Sequence, residues 1–438
     1  MLDVKLLREQ TALVKKNLEK RNDPEKLKML SEFLKYDRKW RDNLKKIEEI
    51  RHRRNVLTKE MAALNSDRRK AQRKSNKKQT GTKIAEVKSL RKKAKTLEEQ
   101  AEKNRQQALN ARMRIPNLLD KSVPVGRDDS GNVEVRRAGK KPKFGFRPRN
   151  HVEIAERLGL ADFTRAAKTA GAGFYYLKNE LVVLDYALQR FAMDFLTKRG
   201  FTLIEPPYMI RRKPYEGVTD LSDFELVTYK IESEDAYLIA TSEHPMGAML
   251  MDEVLESKHL PIKLCGVSPC FRKEIGTHGK YTKGLFRVHQ FNKVEQFVFC
   301  RPEDSWRIHE ELQKNSEELY KKLGLHFRVV NICTGDIGTL ATKKYDIEVW
   351  MADSEFRESG SNSNCTDYQA RRLNIRFREK KGAPPAGFVH TLNNTAIATS
   401  RIMIAILEQY QQKDGSVRIP KALQPYMGGL KAIKPRKK

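Results

Sequence analysis

The sequence contains no apolar run approaching the roughly 20 residues that a helix needs to cross a bilayer, so no membrane span is expected. Its first residues, MLDVKLLREQ, lack the apolar h-region of a secretory signal, and the early acids argue against a transit peptide. Cysteine is scarce and odd in number, 5 in 438 residues, which argues against a disulfide scaffold and fits a reducing cytoplasm. Negative charge is in deficit: 56 acids face 87 lysines and arginines, a formal net charge of +31. Such a surplus points to a polyanionic partner, nucleic acid first, unless it serves only solubility. Its uneven spread favours the partner. Glycine and proline are almost missing before residue 115 and frequent after 150, so the two parts follow different rules.

The first part is rich in lysine, arginine, glutamate, leucine and alanine. Leu90, Ala94, Leu97, Ala101, Asn104, Ala108, Ala111 and Ile115 recur at alternating steps of four and three, a heptad seam. Phe33, Tyr36, Trp40, Leu44, Ile47, Ile50, Leu57, Met61 and Leu64 form a comparable stripe, interrupted by Arg54. Between the two, NSDRRKAQRKSNKKQTGTK has little apolar content and the helix-breaking Gly81. The expected arrangement over residues 1–115 is an antiparallel coiled-coil arm with this segment as its tip. The tip gathers Arg68, Arg69, Lys70, Arg73, Lys74, Lys77, Lys78 and Lys83 against one acid, Asp67. Cations on a projecting arm reach distant phosphates and displace their counterions. A solvated turn and a zipper between two chains are the alternatives; the alanine-rich seam and built-in return disfavour the second.

Residues 116–150, with IPNLLDKSVPVG and GKKPKFGFRPRN, read as a linker. Over 151–438 strand-like runs alternate with helices, which predicts an α+β domain with a central antiparallel sheet flanked by helices. Leu181, Leu184, Leu188, Phe191 and Phe195 share one helical face, and GFTLIEPPYMI reads as a strand closed by Pro206 and Pro207. FRKEIGTHGKYTKGLFRVHQFNKVEQF, residues 271–297, reads as a hairpin. Alternation puts Arg272 and Glu274 on one face, joined on the return strand by Arg287, His289, Phe291, Lys293 and Glu295, with Val288, Val294 and Val298 opposite.

A guanidinium fork suits phosphate or carboxylate, a phenylalanine face suits a purine, and a glutamate suits an α-amine. The plainer reading is an exposed face of cross-strand ion pairs. Further along, TSEHP holds Thr241 and Glu243 two apart, and RESGSNSNCTDYQARR offers Glu358 and Ser361, an oxygen pair suited to Mg²⁺. Asn393 and Thr395 lead into a helix carrying Arg401 in its first turns. Each also has a structural reading as a cap, a loop or a surface cation. Cys265 and Cys270, in CGVSPC, lack the second pair or histidine cluster of a zinc site.

Taken in order, these segments resemble the seryl branch of the class II aminoacyl-tRNA synthetases over essentially the whole chain. GFTLIEPPYMI is similar to motif 1 (about 180–210), which in the family builds the dimer interface around a proline, here Pro207. FRKE…GLFRVHQFNKVEQF is similar to motif 2 (about 267–298), and TLNNTAIATSR to motif 3 (about 388–410). The TSE stretch, RESGSNSNCTDYQARR and the arm are particular to the seryl branch. The resemblance implies a cytoplasmic homodimer that attaches L-serine to tRNA(Ser), and to tRNA(Sec) where present, through a seryl-adenylate, with ATP as substrate and Mg²⁺.

It further implies catalytic roles for Arg272, Glu274, Glu295 and Arg401, and a serine pocket of Thr241, Ser242, Glu243, Arg272, Glu295, Asn393 and Thr395. ATP would meet Arg272, Lys273, Glu274, Arg287, the backbone at Val288, Phe291, Glu358, Ser359, Gly360, Ser361 and Arg401. Glu358 and Ser361 would hold Mg²⁺, and Arg68, Arg69, Lys70, Arg73, Lys74, Lys77 and Lys78 would grip tRNA. The family often has a plainer Glu-x-Ser-Ser where this chain has ESGS, so Ser361 carries over more firmly than Ser359 or Gly360. A homologue without catalysis would be expected to lack Arg272, Glu295 or Arg401, and a ligase acting on a carrier protein would be expected to lack the arm.

Overall fold

With glycine and proline scarce, little in the N-terminal residues stops a helix. The computed structural model, which describes residues 1–66, 73–220, 224–274 and 284–436, has two long ones there. Helix α1 spans Pro24–Ser66 and α2 spans Arg73–Arg114. Pro24 brings a φ suited to the first helical turn, and the Asp23 carboxylate accepts the Glu25 N–H at 3.0 Å. The pairing is antiparallel: Arg51 meets Glu98 at 3.0 Å, Arg53 meets Glu86 at 3.0 Å, and Glu60 meets Lys83. Phe33, Ile47 and Leu57 of α1 and Ala94, Ala101, Ala108 and Ala111 of α2 are buried, in agreement with the heptad reading. Alanine on one side makes room for the larger side chains of the other. Leu44 departs from the pattern and is exposed.

Helix α2 runs straight through Gly81, where the sequence predicts a break. One interior glycine costs about 1 kcal/mol against alanine, less than packing along so long a partner supplies. Of the basic tip residues, Arg68, Arg69 and Lys70 lie outside the described residues, Arg73 and Lys74 open α2, and Lys77 and Lys78 are exposed on it. Asp3–Glu19 with Asp23–Ile115 forms one compact unit; Met1–Leu2, Lys20–Asn22 and Pro116–Lys438 form the other.

The second unit is built on an eight-stranded sheet. Its strands are β1 (Val133–Ala138), β2 (Thr202–Ile204), β3 (Ile262–Phe271), β4 (Gln290–Cys300), β5 (Phe327–Asn331), β6 (Lys343–Trp350), β7 (Phe356–Asn364) and β8 (His390–Ala398). They lie in the order β1-β5-β6-β7-β8-β4-β3-β2, antiparallel throughout except for the parallel pair β2 and β3. Alternation along β4 divides the interior. Val294 and Val298 face a core completed by Leu184 and Leu188 of α3 (Glu180–Thr197), Leu312 and Leu319 of α4 (Ser305–Lys322) and Met403 and Ile406 of α5 (Thr399–Gln409). Phe297 and Phe299 face the other way, into a smaller core with Tyr215, Tyr237 and Ile239. Asp185 of α3 is buried, accepts from Asn292 of β4 at 2.8 Å and bonds Thr399 at the head of α5, so one carboxylate joins three separate segments. Burial pushes its pKa up against those hydrogen bonds.

One expectation needs correction. Residues 116–150 are not a free linker: Leu119 and Val123 pack on Val330 and Ile332, and Val133–Ala138 supply the edge strand β1. Asn117 is anchored by donating to the carbonyls of Leu340 at 3.0 Å and Cys365 at 2.9 Å. In GFTLIEPPYMI the strand closes ahead of Pro206 and Pro207, as the sequence predicts. The prolines confine β2 to Thr202–Ile204, and Met209–Ile210 join a separate ribbon with Tyr237–Leu238.

Candidate active site

Strand β4 has β3 on one side and β8 on the other, and their register sets Glu295 opposite both Gly266 and Thr395. A Cβ added at Gly266 would lie 2.4 Å from Met246 Cε and 2.8 Å from Ser242 Oγ, so those side chains would have to shift to admit one. The glycine thus lets the segment from Thr241 to Met246 close over the sheet. Thr395 Oγ1 donates to Glu295 Oε1 at 3.0 Å, Thr241 Oγ1 donates to the same oxygen at 3.3 Å, and Asn393 Nδ2 donates to Oε2 at 3.2 Å. The Lys293 ammonium completes the set as an ion pair. Glu295 is fully buried, an arrangement tolerable only because every direction holds a donor or a countercharge.

Close by, burial and the Glu295 charge push the Glu243 carboxyl up to about 7, with Lys293 and Arg272 opposing them. Burial likewise pushes the neighbouring His244 down to about 3, so its ring is neutral.

Strand β3 ends at Phe271, so Arg272 and Glu274 are not in strand, contrary to the hairpin reading. The Arg272 N–H still donates to the His289 carbonyl at 2.9 Å, extending the pairing by one residue. The Arg272 side chain bridges inward: Nε donates to the Ala240 carbonyl at 3.2 Å, and the guanidinium lies over the Phe291 ring at 5.3 Å. His289 lies under this corner rather than in the cleft. Its Nδ1 is 2.8 Å from the Arg272 carbonyl and 2.7 Å from the Tyr229 hydroxyl, and its ring stacks on Phe174 at 5.0 Å. Glu274 pairs with Arg287 at 3.4 Å, Lys273 Nζ stands 5.7 Å over Tyr229, and Val288 is buried, leaving its backbone to act.

The other end is cationic and oxygen-rich. Arg401, in the first turn of α5, donates from Nη1 to the Glu358 carbonyl at 2.7 Å, pairs with its carboxylate at 3.4 Å and lies 4.9 Å over Phe286. Ser361 Oγ donates to Glu358 Oε1 at 3.3 Å. In a regular strand residues 358 and 361 would face opposite ways. Here Ile347 pairs with Gly360 and Glu348 with Glu358, so Ser359 is an extra residue that turns the strand and brings both oxygens to one face. Ser359 itself is turned into the core, where its hydroxyl accepts from Tyr320 at 3.0 Å, which takes its side chain out of the expected ATP set. A Cβ added at Gly360 would lie 3.1 Å from Thr395 Cβ, so the backbone there runs close against β8.

Desolvation works to raise the Glu358 pKa, but Arg401, Lys344 and Arg272 outweigh it and hold it at about 2. Asp346 of β6 is the register partner of Ser361. Desolvation raises its pKa to about 7, and its Oδ1 has no hydrogen-bond partner. Glu358, Ser361 and Asp346 form a set of hard oxygens that suits Mg²⁺. Among the described residues no three His, Cys, Asp or Glu side chains cluster as metal ligands. Cys265 and Cys270 are buried in β3, with thiol pKa values pushed up by desolvation.

Two residues escaped the sequence reading as members of the site. Lys293 shares the alternating face of Glu295, so the signal was there. Asp346 gave none, because only the register of β6 on β7 puts it beside Ser361.

A predominantly antiparallel sheet on which residues 180–210, the described parts of 267–298 and residues 388–410 converge, with arginines leaving β3 and entering α5, defines a class II aminoacyl-tRNA synthetase core. Residues 227–410 match the tRNA synthetase class II core domain (G, H, P, S and T), and residues 1–119 match the Seryl-tRNA synthetase N-terminal domain. The chain belongs to the seryl-tRNA synthetase family. It is 56% identical to a serine–tRNA ligase of Methanocella arvoryzae over 99% of this chain and 100% of that protein. The solved seryl-tRNA synthetase of Pyrococcus horikoshii, complexed with ATP, superposes with a TM-score of 0.93 at 48% identity, covering 100% of both chains. The cytoplasmic serine–tRNA ligase of Naegleria fowleri, in complex with AMP, gives 0.85 at 36% identity over 100% of this chain and 99% of that one.

Proposed function

We infer that the chain activates L-serine with ATP and transfers it to tRNA(Ser). The observation that carries this is one sheet face offering a buried carboxylate ringed by small polar groups beside Arg272, with Arg401 and Glu358 beyond. In the first step a serine carboxylate oxygen attacks the α-phosphorus, and the bond to the pyrophosphate oxygen breaks. In the second the 3′-hydroxyl of the terminal adenosine attacks the activated carbonyl and AMP leaves. No protein nucleophile is required; positioning and cationic stabilisation of phosphoryl charge do the work.

Arg272 bridges the α-phosphate and the serine carboxylate, and Arg401 holds the γ-phosphate. Phe291 stacks on adenine, with Glu274 and the Val288 backbone at its edge. Glu295 takes the amine and hydroxyl, supported by Thr241, Asn393 and Thr395. Mg²⁺, held by Glu358 and Ser361, neutralises phosphate charge when bound. A pocket built to bond the substrate hydroxyl rejects alanine, because its own polar groups would be left unpaired.

Shortening the arm between Asn65 and Lys83 is expected to impair charging of a tRNA(Ser) transcript while serine-dependent ATP–pyrophosphate exchange stays near normal; an equal fall in both would make the arm structural. Charging of tRNA(Sec), where an organism has one, belongs to the same proposal and is read with its transcript. A homodimer through motif 1 would cover the exposed Val183, Tyr186, Leu203 and Met209, and light scattering reports its mass. A cytoplasmic setting belongs to the same proposal, and the five unpaired cysteines and these substrates support it.

The raised Glu243 pKa gives a pH signature. Between its ordinary value of 4.5 and about 7 the folded chain keeps a proton that the unfolded chain has lost. Its contribution to stability is therefore full at low pH and fades as pH rises through about 7. Serine, as a cation at its amine, favours the ionised carboxylate, so KM for serine is expected to rise several-fold from pH 8 to pH 6. Glu243→Gln should flatten that profile. A wild-type profile already flat over this range contradicts the assignment.

A further inference from the structure

Apart from the active site, the catalytic unit carries a depression of about 290 Å³ where the chain leaves β1. It is bordered by residues 140–146, the end of α5 and the short strand Val417–Arg418. No aspartate or glutamate lines it, whereas Lys140, Lys141, Lys143 and Arg418 do. All four are exposed, and none forms a salt bridge among the described residues. Elsewhere on this unit surface arginines sit against acids: Arg328 on Glu348 at 2.5 Å, Arg357 on Asp353 at 2.6 Å, Arg136 on Glu317 at 2.9 Å. Four cations left uncompensated around one hollow repel each other, a cost that an anionic ligand would relieve.

The depression also has an aromatic wall. Phe144 and Phe146 are half-buried with ring centroids 5.3 Å apart, and Phe144 stacks towards Trp350 at 6.3 Å. Lys141 Nζ stands 5.5 Å over the Trp350 ring. Arg418 pairs in register with Ala432, so the basic C-terminal stretch KAIKPRKK begins at the same edge.

Cations that follow a phosphate chain beside rings that accept an unstacked base are the means by which single-stranded nucleic acid is held. Three of the four cations are lysine, which meets phosphate as a point charge, and the fork of Arg418 suits phosphate as well. We propose that this cleft is a second RNA-binding surface, separate from the arm, that takes two or three backbone phosphates with an unpaired base against Phe144 and Phe146. The proposal rests on the reading that the chain acts on tRNA, and adds to it a contact on the catalytic unit itself.

The test uses the full chain with Lys140→Glu, Lys143→Glu and Arg418→Glu combined, and a tRNA(Ser) transcript as probe. Lys140→Gln, Lys143→Gln and Arg418→Gln serve if the reversed variant melts early. A control puts the same net charge change on Lys168, Lys380 and Lys381, exposed elsewhere. Expected are at least a tenfold loss of tRNA affinity and a salt dependence shallower by about 2 to 3 in log–log slope, since each lost phosphate contact removes about 0.7 to 0.9. The control should keep the wild-type slope, and serine-dependent exchange should be unchanged in every variant. Wild-type affinity and slope in the reversed and Gln variants would overturn the proposal, as would polyglutamate displacing the probe from the cleft as well as an oligoribonucleotide does. Absence of serine-dependent exchange in the unmodified chain would instead strike the underlying reading.

Discussion

Arg272→Ala is expected to lower serine-dependent ATP–pyrophosphate exchange by roughly 10³-fold, because a positioned donor aimed at developing phosphoryl charge contributes about that much in a water-poor site. The side chain is held for this task. Its Nε is fixed by the Ala240 carbonyl and its plane rests over Phe291, so its reach does not depend on ordering at the moment of reaction. Arg272→Lys should recover little, since an ammonium keeps the charge but not the fork that can meet a phosphate and a carboxylate together. The measurement is exchange at saturating serine and ATP, with the melting temperature as a folding control. Near-normal exchange in a well-folded variant would take Arg272 out of the site.

Glu295 gives the second large effect, and the choice of substitution separates binding from folding. Glu295→Ala leaves Lys293 buried without its countercharge, a change expected to cost about 3 to 5 kcal/mol of stability. Glu295→Gln also removes the Lys293 countercharge, but it keeps the shape and an amide oxygen that still accepts from Lys293, Thr241 and Thr395, so its stability loss should be the smaller one, while the serine ammonium meets no charge. For that variant kcat/KM for serine should fall about 10² to 10³-fold, as for a lost charge-assisted contact in a dry pocket. KM for ATP should barely move. A Glu295→Gln variant with unchanged KM for serine would mean that the carboxylate serves only to hold Lys293, Thr241 and Thr395 together.

How much of this was legible before the structure varies by residue, for physical reasons. Period-two alternation correctly put Phe291, Lys293 and Glu295 on one side of a strand and Val294 and Val298 on the other, because burial enforces that rule on any strand with one packed face. The alanine seam of α2 was equally plain, since small apolar residues recurring at heptad spacing mark a closely packed helix face. What stayed hidden were the departures from regularity. The extra residue at Ser359 reverses the strand's facing and so brings Glu358 and Ser361 together while turning Ser359 inward. Only register brings Asp346 to the same place. Gly81 misled because one glycine signals a break locally, while the length of the helix pairing decides the outcome. Residues 116–150 misled in the same way: a stretch rich in proline, glycine and lysine reads as a tether, yet Asn117, Leu119 and Val123 bind it to the sheet unit.

The central claim is that a single sheet face binds serine and ATP together and joins them. ATP–pyrophosphate exchange, screened over the twenty amino acids with no tRNA present, tests it most directly. Exchange should depend on serine, with alanine lower by roughly 10⁴-fold for want of the hydroxyl. Exchange that proceeds without an amino acid, or as fast with a different one, would contradict the account.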